Sequence, residues 1–210
     1  MIEQGSHEWF AQRAGKATAS RIADIIAKAR TKSGPSASRK NYAAQLVAER
    51  LTGTVEQSYT TAAMQWGTEK EPDARAAYAF LRADGLDVTK AEFVVHPAIK
   101  DAGASPDGYV ADDGLIEIKC PNTATHIETL LGKSVPSKYV TQIMWQMACT
   151  GRAWCDFVSF DPRLRDDLQL FVKRVYRDEA MIGELEREVE AFLAEVSATV
   201  KALDAYAEAA

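Results

Sequence analysis

The sequence predicts an α/β domain in which a central mixed β-sheet is flanked by helices and followed by a long C-terminal helix. Three observations point to it. The stretch GASPDGYVADDGLIEIKCP at 103–121 alternates polar and apolar residues around a turn, the signature of a hairpin. Apolar runs at 154–160 and 168–175 read as two more strands. From 177 to 210, Ile182, Leu185, Val189, Phe192, Val196, Val200 and Leu203 keep a three-four spacing, a packing stripe on one helix.

With 210 residues and 47% hydrophobic content the chain can bury one good core, so one domain over 1–210 is expected. No apolar run is long enough to cross a membrane and the N-terminus lacks a signal pattern, so a soluble, intracellular protein is expected. Three cysteines without CxxC or Cys/His spacing exclude a disulfide framework, a zinc site and an iron–sulfur cluster. Cys120 and Cys149 read as packing residues. A net charge of −5 gives no overall pull toward a polyanion, which would have to be met by local basic patches.

Taken in order, the chain opens with a helix around Glu8 to Arg13, a break at Gly15, and a second helix with Thr18 or Ser20 as its cap and Ile22, Ile25 and Ile26 as its apolar face. Arg13 and Ser20 flank that turn and either hold an anion at the helix start or serve as a solvated arginine and a capping serine. Residues 28–40, KARTKSGPSASRK, read as a mobile basic loop, either a backbone contact for nucleic acid or a solvated segment. A helix follows over 41–51, with Tyr42, Leu46 and Val47 on one stripe and Gly53 ending it.

Met64, Trp66, Ala74, Tyr78 and Leu81 mark a helix, or a pair divided at Pro72, with Glu71 and Arg75 one turn apart. Residues 88–96 alternate as a strand ending at His96. After the hairpin come a helix within 122–132 and another carrying Tyr139, Ile143, Met147 and Thr150, with Gln142 and Gln146 one turn apart and Gly151 as its stop.

The hairpin concentrates the chemistry. In a strand, Glu117 and Lys119 face one way while Ile116 and Ile118 face the other, and a tight return through Asp113-Gly114 puts Asp107 across from Glu117. Two carboxylates and an ammonium then converge. Carboxylate oxygens suit magnesium or manganese, which complete their shell with water and substrate phosphate. A lysine there orients an attacking water or helps to deprotonate it.

Pro106-Asp107 followed by Glu117-Ile118-Lys119 resembles the PD-(D/E)XK nuclease superfamily, which implies a restriction-endonuclease-like core. Further motifs narrow the likeness. Trp9-x3-Arg13 with Gly15 and Thr18-Ala19-Ser20, Trp66-Gly67 with Glu71 and Asp73-Ala74-Arg75, Ser105-Pro106-Asp107-Gly108, Glu117-Ile118-Lys119-Cys120-Pro121 and Tyr139-x2-Gln142 occur in the order seen in the lambda exonuclease family, the YqaJ-like viral recombinases. The resemblance covers nearly the whole chain.

That resemblance implies a metal-dependent 5′-to-3′ exonuclease acting on double-stranded DNA ends in phage-type recombination, leaving a 3′ single-stranded tail. Asp107, Glu117 and the Ile118 carbonyl would bind Mg2+ or Mn2+, with Glu71 adding to the acidic site and Lys119 positioning water. Arg13, Ser20, Ser105 and Gln142 would surround the 5′ phosphate and scissile region, Arg30 would contact DNA, and Met64 would act as an apolar wedge between the strands. A ring-shaped homotrimer, a single-strand annealing partner and a place in the cytoplasm of a bacterial host, encoded by a phage or prophage, are implied in the same way. A structure- or sequence-selective endonuclease on the same scaffold, or a noncatalytic DNA-binding protein, are the alternatives. Two departures stand out: Pro72 directly after Glu71, and the turn at 111–114, whose length differs from the family pattern.

Overall fold

A computed structural model describes residues 5–29, 34–55, 61–81 and 85–209. Its centre is a five-stranded sheet ordered β2 (Val88–Thr89), β5 (Gly108–Val110), β6 (Gly114–Lys119), β7 (Trp154–Phe160) and β8 (Leu170–Tyr176). Only the β6–β7 pairing is parallel, so the sheet is mixed as expected. A smaller sheet sets β4 (Ala102–Ala104) between β1 (Ala17–Thr18) and β3 (Val94–Val95).

Alternation along the strands builds two cores. Leu115, Cys155 and Phe157 point to the larger one, shared with α2 (Ile22–Ile26), α3 (Ala37–Thr52), α6 (Ser137–Thr150) and α7 (Glu179–Ala209). Ile116, Ile118, Trp154, Val158 and Phe160 point to the smaller one, capped by Ala74 and Tyr78 of α4 (Ala62–Leu81). The interior strand β7 is buried along its whole length, which requires its one acid to be satisfied. Asp156 accepts from Tyr78 Oη at 2.7 Å and from the Arg174 fork at 2.9 Å.

The long helix α7 buries Ile182, Leu185, Val189, Phe192, Leu193 and Val196, and Phe192 stacks on Tyr42 of α3 with ring centroids 5.4 Å apart. Fully burying one such side chain is worth about 1.5–3 kcal/mol. The stripe is thus a packing face against the body as far as Val200, which is partly buried; beyond it Leu203 and Tyr206 are exposed. The remaining helices are α1 (His7–Arg13) and α5 (Thr123–Gly132), each started by a side-chain cap, Ser6 on Trp9 N and Asn122 on Thr125 N. Among the described residues no helix is long and apolar enough to cross a membrane. All three cysteines are buried as free thiols.

Several local expectations need correction. Neither Thr18 nor Ser20 caps a helix with its side chain: Thr18 lies in β1, and Ser20 sits in a 3-10 turn, Ala19–Arg21, that leads into α2. The basic stretch 28–40 is not all loop, because Ser36 caps Arg39 N at 3.2 Å and starts α3 at Ala37, four residues earlier than expected. Arg39 is therefore no free DNA contact; it is buried, donating to Ile25 O and pairing with Glu195. Pro72 does not divide α4, which runs through it as one helix. Residues 88–96 split into β2 and β3 in different sheets, and the final strand starts at Leu170 because Leu168 closes a 3-10 turn. Gly114 is not a turn residue but the first of β6, where an added Cβ would lie 2.2 Å from the Trp154 ring.

Candidate active site

Antiparallel register sets the first contact. Gly108 pairs with Ile116, so Asp107, one residue ahead of β5, meets the strand at Glu117 and Ile118. Its Oδ2 accepts the Ile118 N–H at 2.6 Å, while the Ile118 side chain turns into the smaller core. Glu117 and Lys119 share the opposite face and form an ion pair. That face looks toward α6, and Gln142 Nε2 and Gln146 Nε2 donate to Glu117 Oε1 and Oε2 at 2.7 and 2.6 Å.

The second contact comes from the smaller sheet. Strand β4 delivers Ser105, whose Oγ accepts from Trp9 Nε1 at 3.2 Å and from Arg13 Nη1 at 3.0 Å. The Arg13 guanidinium lies 3.9 Å over the Trp9 ring, a cation–π contact that fixes its plane. Two donors occupy both Ser105 lone pairs and leave its own O–H to be given.

Trp9, Arg13, Ala19, Ser20, Ser105, Asp107, Glu117, Lys119 and Gln142 line a single cleft of about 200 Å³. The expected Arg13, Ser20, Ser105, Asp107, Glu117, Lys119 and Gln142 thus converge. Glu71 and Met64 do not line it. Glu71 is tied to Arg75 Nη2 at 2.5 Å, and Arg75 also donates to the Asp107 carbonyl oxygen. Met64, 53% exposed, sits further along the same helix α4. Arg30 lies outside the described residues. Gln146, Trp9 and Arg75 hold site residues in place, but sequence reading assigned them no part in the site. The Trp9-x3-Arg13 spacing and the i,i+4 offset of Gln146 from Gln142 were the available signals.

The electrostatics of the cleft are unbalanced. Burial and then the Glu117 carboxylate push Asp107 well above the usual carboxylate range. Burial works against the Lys119 ammonium, but Glu117 and Asp107 outweigh it and raise its pKa. Lys119 is therefore an ammonium, a donor and not a proton acceptor in this arrangement. Arg13 is pushed down to about 10 by burial, still charged at neutral pH.

Two buried carboxylates with hard oxygen donors fit a small divalent cation, whose charge would offset the burial and the Glu117 repulsion that raise the Asp107 pKa. Among the described residues no group of three His, Cys, Asp or Glu side chains forms a ready ligand set. That matches magnesium, which typically takes one or two protein carboxylates and leaves the rest of its shell to water and phosphate.

Comparison with known proteins agrees with the geometry. The family model described as the YqaJ-like viral recombinase domain matches residues 8–153. An alkaline exonuclease from Laribacter hongkongensis, LHK-Exo, is 54% identical with a TM-score of 0.89, the match covering 97% of this chain and 98% of that one. The same figures hold for LHK-Exo in complex with dAMP. A phage related exonuclease from Haemophilus somnus 129PT, 17% identical over 90% of this chain and 96% of its own, shares the fold with a TM-score of 0.71. A search of curated proteins finds no match. With more than half its length under the family model and Asp107, Glu117 and Lys119 gathered on one hairpin, the chain belongs to the YqaJ-like viral recombinase family.

Proposed function

We propose that this chain is a metal-dependent exonuclease that digests the 5′-phosphorylated strand of double-stranded DNA ends in the 5′-to-3′ direction and leaves a 3′ single-stranded tail for recombination. One cleft carries this reading. Its Arg13–Ser105 end offers a guanidinium and a hydroxyl for a terminal phosphate, and its Asp107–Glu117 end offers two carboxylates for a cation at the adjacent phosphodiester. Likeness to an alkaline exonuclease at 54% identity supports the reaction class, and that relative's complex with dAMP supports a mononucleotide product.

A bound Mg2+ or Mn2+ would be held by Asp107, Glu117 and the Ile118 carbonyl, and would supply charge neutralisation at the phosphate oxygens and an acidified water. The chain's own groups do the rest. Arg13 and Ser105 donate to the terminal phosphate and fix the register of the strand. Lys119 donates to the attacking water and holds it for in-line approach. Gln142 keeps Glu117 turned toward the cleft. Glu71, within electrostatic reach of Asp107, adds negative charge beside the acidic site. Exposed Met64 serves as the wedge that parts the strands ahead of Glu71. A ring of three copies around the duplex and a single-strand annealing partner for the tail complete the reading.

The test is digestion of end-labelled linear duplex, 5′-phosphorylated or 5′-hydroxyl, in Mg2+, beside closed circular duplex and a Lys119→Ala control. Mononucleotides from the phosphorylated ends, intact circles and an inert control are expected. Cutting of closed circles would make it an endonuclease, and binding without cleavage in any metal would make it a binding module.

A further inference from the structure

The Glu117 carboxylate is 1% exposed and takes three donors. Gln142 Nε2 and the Lys119 ammonium both reach Oε1, whereas Gln146 Nε2 alone reaches Oε2, at 2.6 Å. A carboxylate has about four lone-pair sites. Three are taken, and the open one lies on Oε2, the oxygen that Gln146 holds.

Gln146 is fully buried on α6, one turn beyond Gln142. Because a carboxylate only accepts, the amide must turn its NH2 toward Glu117, and this orientation leaves Gln146 Oε1 buried with no donor among the described residues. An orphaned buried acceptor weakens a fold. The cost of the orphaned acceptor is set against what the donor gives the buried Glu117 carboxylate, so the amide's clearest effect is its hold on that carboxylate.

We infer that Gln146 is a positioning residue for the metal site: by holding Glu117 Oε2 it fixes the rotation of that carboxylate and leaves one lone pair of Oε2 free for a cation. The inference rests on the metal-dependent reading above and extends it to a side chain outside the cleft lining. Partners that orient a ligating carboxylate in this way are worth about tenfold to a hundredfold in metal affinity.

The experiment is Mn2+ titration without DNA, by calorimetry, into the wild type and Gln146→Met, with thermal melts of both metal-free proteins. Methionine keeps the length of the side chain and removes both the donor and the orphaned acceptor. The expected result is Mn2+ affinity about tenfold to a hundredfold weaker in the variant, with a melting temperature close to the wild type, because the lost donor to Glu117 and the removed orphaned acceptor oppose each other. In digestion the Mn2+ concentration for half-maximal rate rises by a similar factor while KM for DNA holds. Equal Mn2+ affinity in the two proteins overturns the inference and leaves the nuclease reading standing. So does a Gln146→Met protein that melts far lower or fails to fold, since the amide would then be serving the fold. A wild type that binds no Mn2+ removes the metal site and this inference together.

Discussion

Arg13 offers the sharpest test of end recognition, because its effect depends on a group of the substrate that can be removed independently. In Arg13→Ala the cleft loses a guanidinium that sits 3.9 Å over the Trp9 ring and donates to Ser105 Oγ at 3.0 Å. A hydrogen bond to a charged group contributes about 1.5–3 kcal/mol, which is roughly tenfold to 150-fold in rate. Burial favours the upper half of that range: it pushes the Arg13 pKa down to about 10, so the charge is held away from water and its partner feels less screening. The assay is a double cycle of initial digestion rates, wild type and Arg13→Ala, each on 5′-phosphorylated and 5′-hydroxyl duplex ends. Wild type is expected to prefer the phosphate by that factor, and the variant to treat the two ends nearly alike. Arg13→Lys, which keeps the charge but loses the fork and the flat stacking, falls between. The variant slowing equally on both ends would refute the reasoning, since Arg13 would then be acting on the fold or on the duplex as a whole.

Asp107→Asn tests the imbalance of the cleft through pH. Asp107 has a folded pKa raised by burial and by Glu117, so in the metal-free protein its contribution to stability is full below the unfolded carboxylate pKa of about 4 and is lost as pH rises through the folded value. Thermal melts across pH should show that decline, and Asp107→Asn should remove it while abolishing cleavage; an unchanged slope would count against the repulsion. Phe192→Ala empties a fully buried ring position stacked on Tyr42 and should destabilise by about 3–5 kcal/mol in a denaturant titration, with a loss below about 1 kcal/mol denying α7 its structural role. Gly108→Ala would bring a Cβ to 2.7 Å from both the Thr89 carbonyl oxygen and Arg75 Nη1, beside Asp107; a loss of about 1–3 kcal/mol and slower digestion are expected, and wild-type behaviour in both would contradict the close approach.

The hairpin was the most legible part of the chain because covalent geometry decides it. Two residues in a strand share a face whatever packs above them, so Glu117 and Lys119 had to point together, and antiparallel return then put Asp107 beside them. Helix stops were legible for a similar reason: Gly53 and Gly151 adopt φ of 70° and 71°, a conformation other residues pay strain to reach. Helix starts were less so. The cap that begins α3 is Ser36, inside a stretch whose lysines, arginines, glycine and proline look like loop, and Arg39 owes its burial to Glu195, 156 residues further on. No local pattern carries that partner.

Gln146 fell between these cases, and the reason bears on how the site works. Its i,i+4 offset from Gln142 was visible, and that offset guarantees only that the two amides share a helix face. Whether they reach one carboxylate depends on how α6 crosses β6, which is set by the core beneath: Ile143 and Met147 on α6 and Leu115 on the strand are fully buried together. The packing that holds the helix down therefore also holds two donors against Glu117. A core substitution there that keeps the fold but lifts α6 slightly would lengthen both amide contacts, at 2.7 and 2.6 Å, before it unfolded anything. In this protein the hydrophobic core and the carboxylate geometry are one structure, so activity should fail ahead of stability when the α6–β6 contact is loosened.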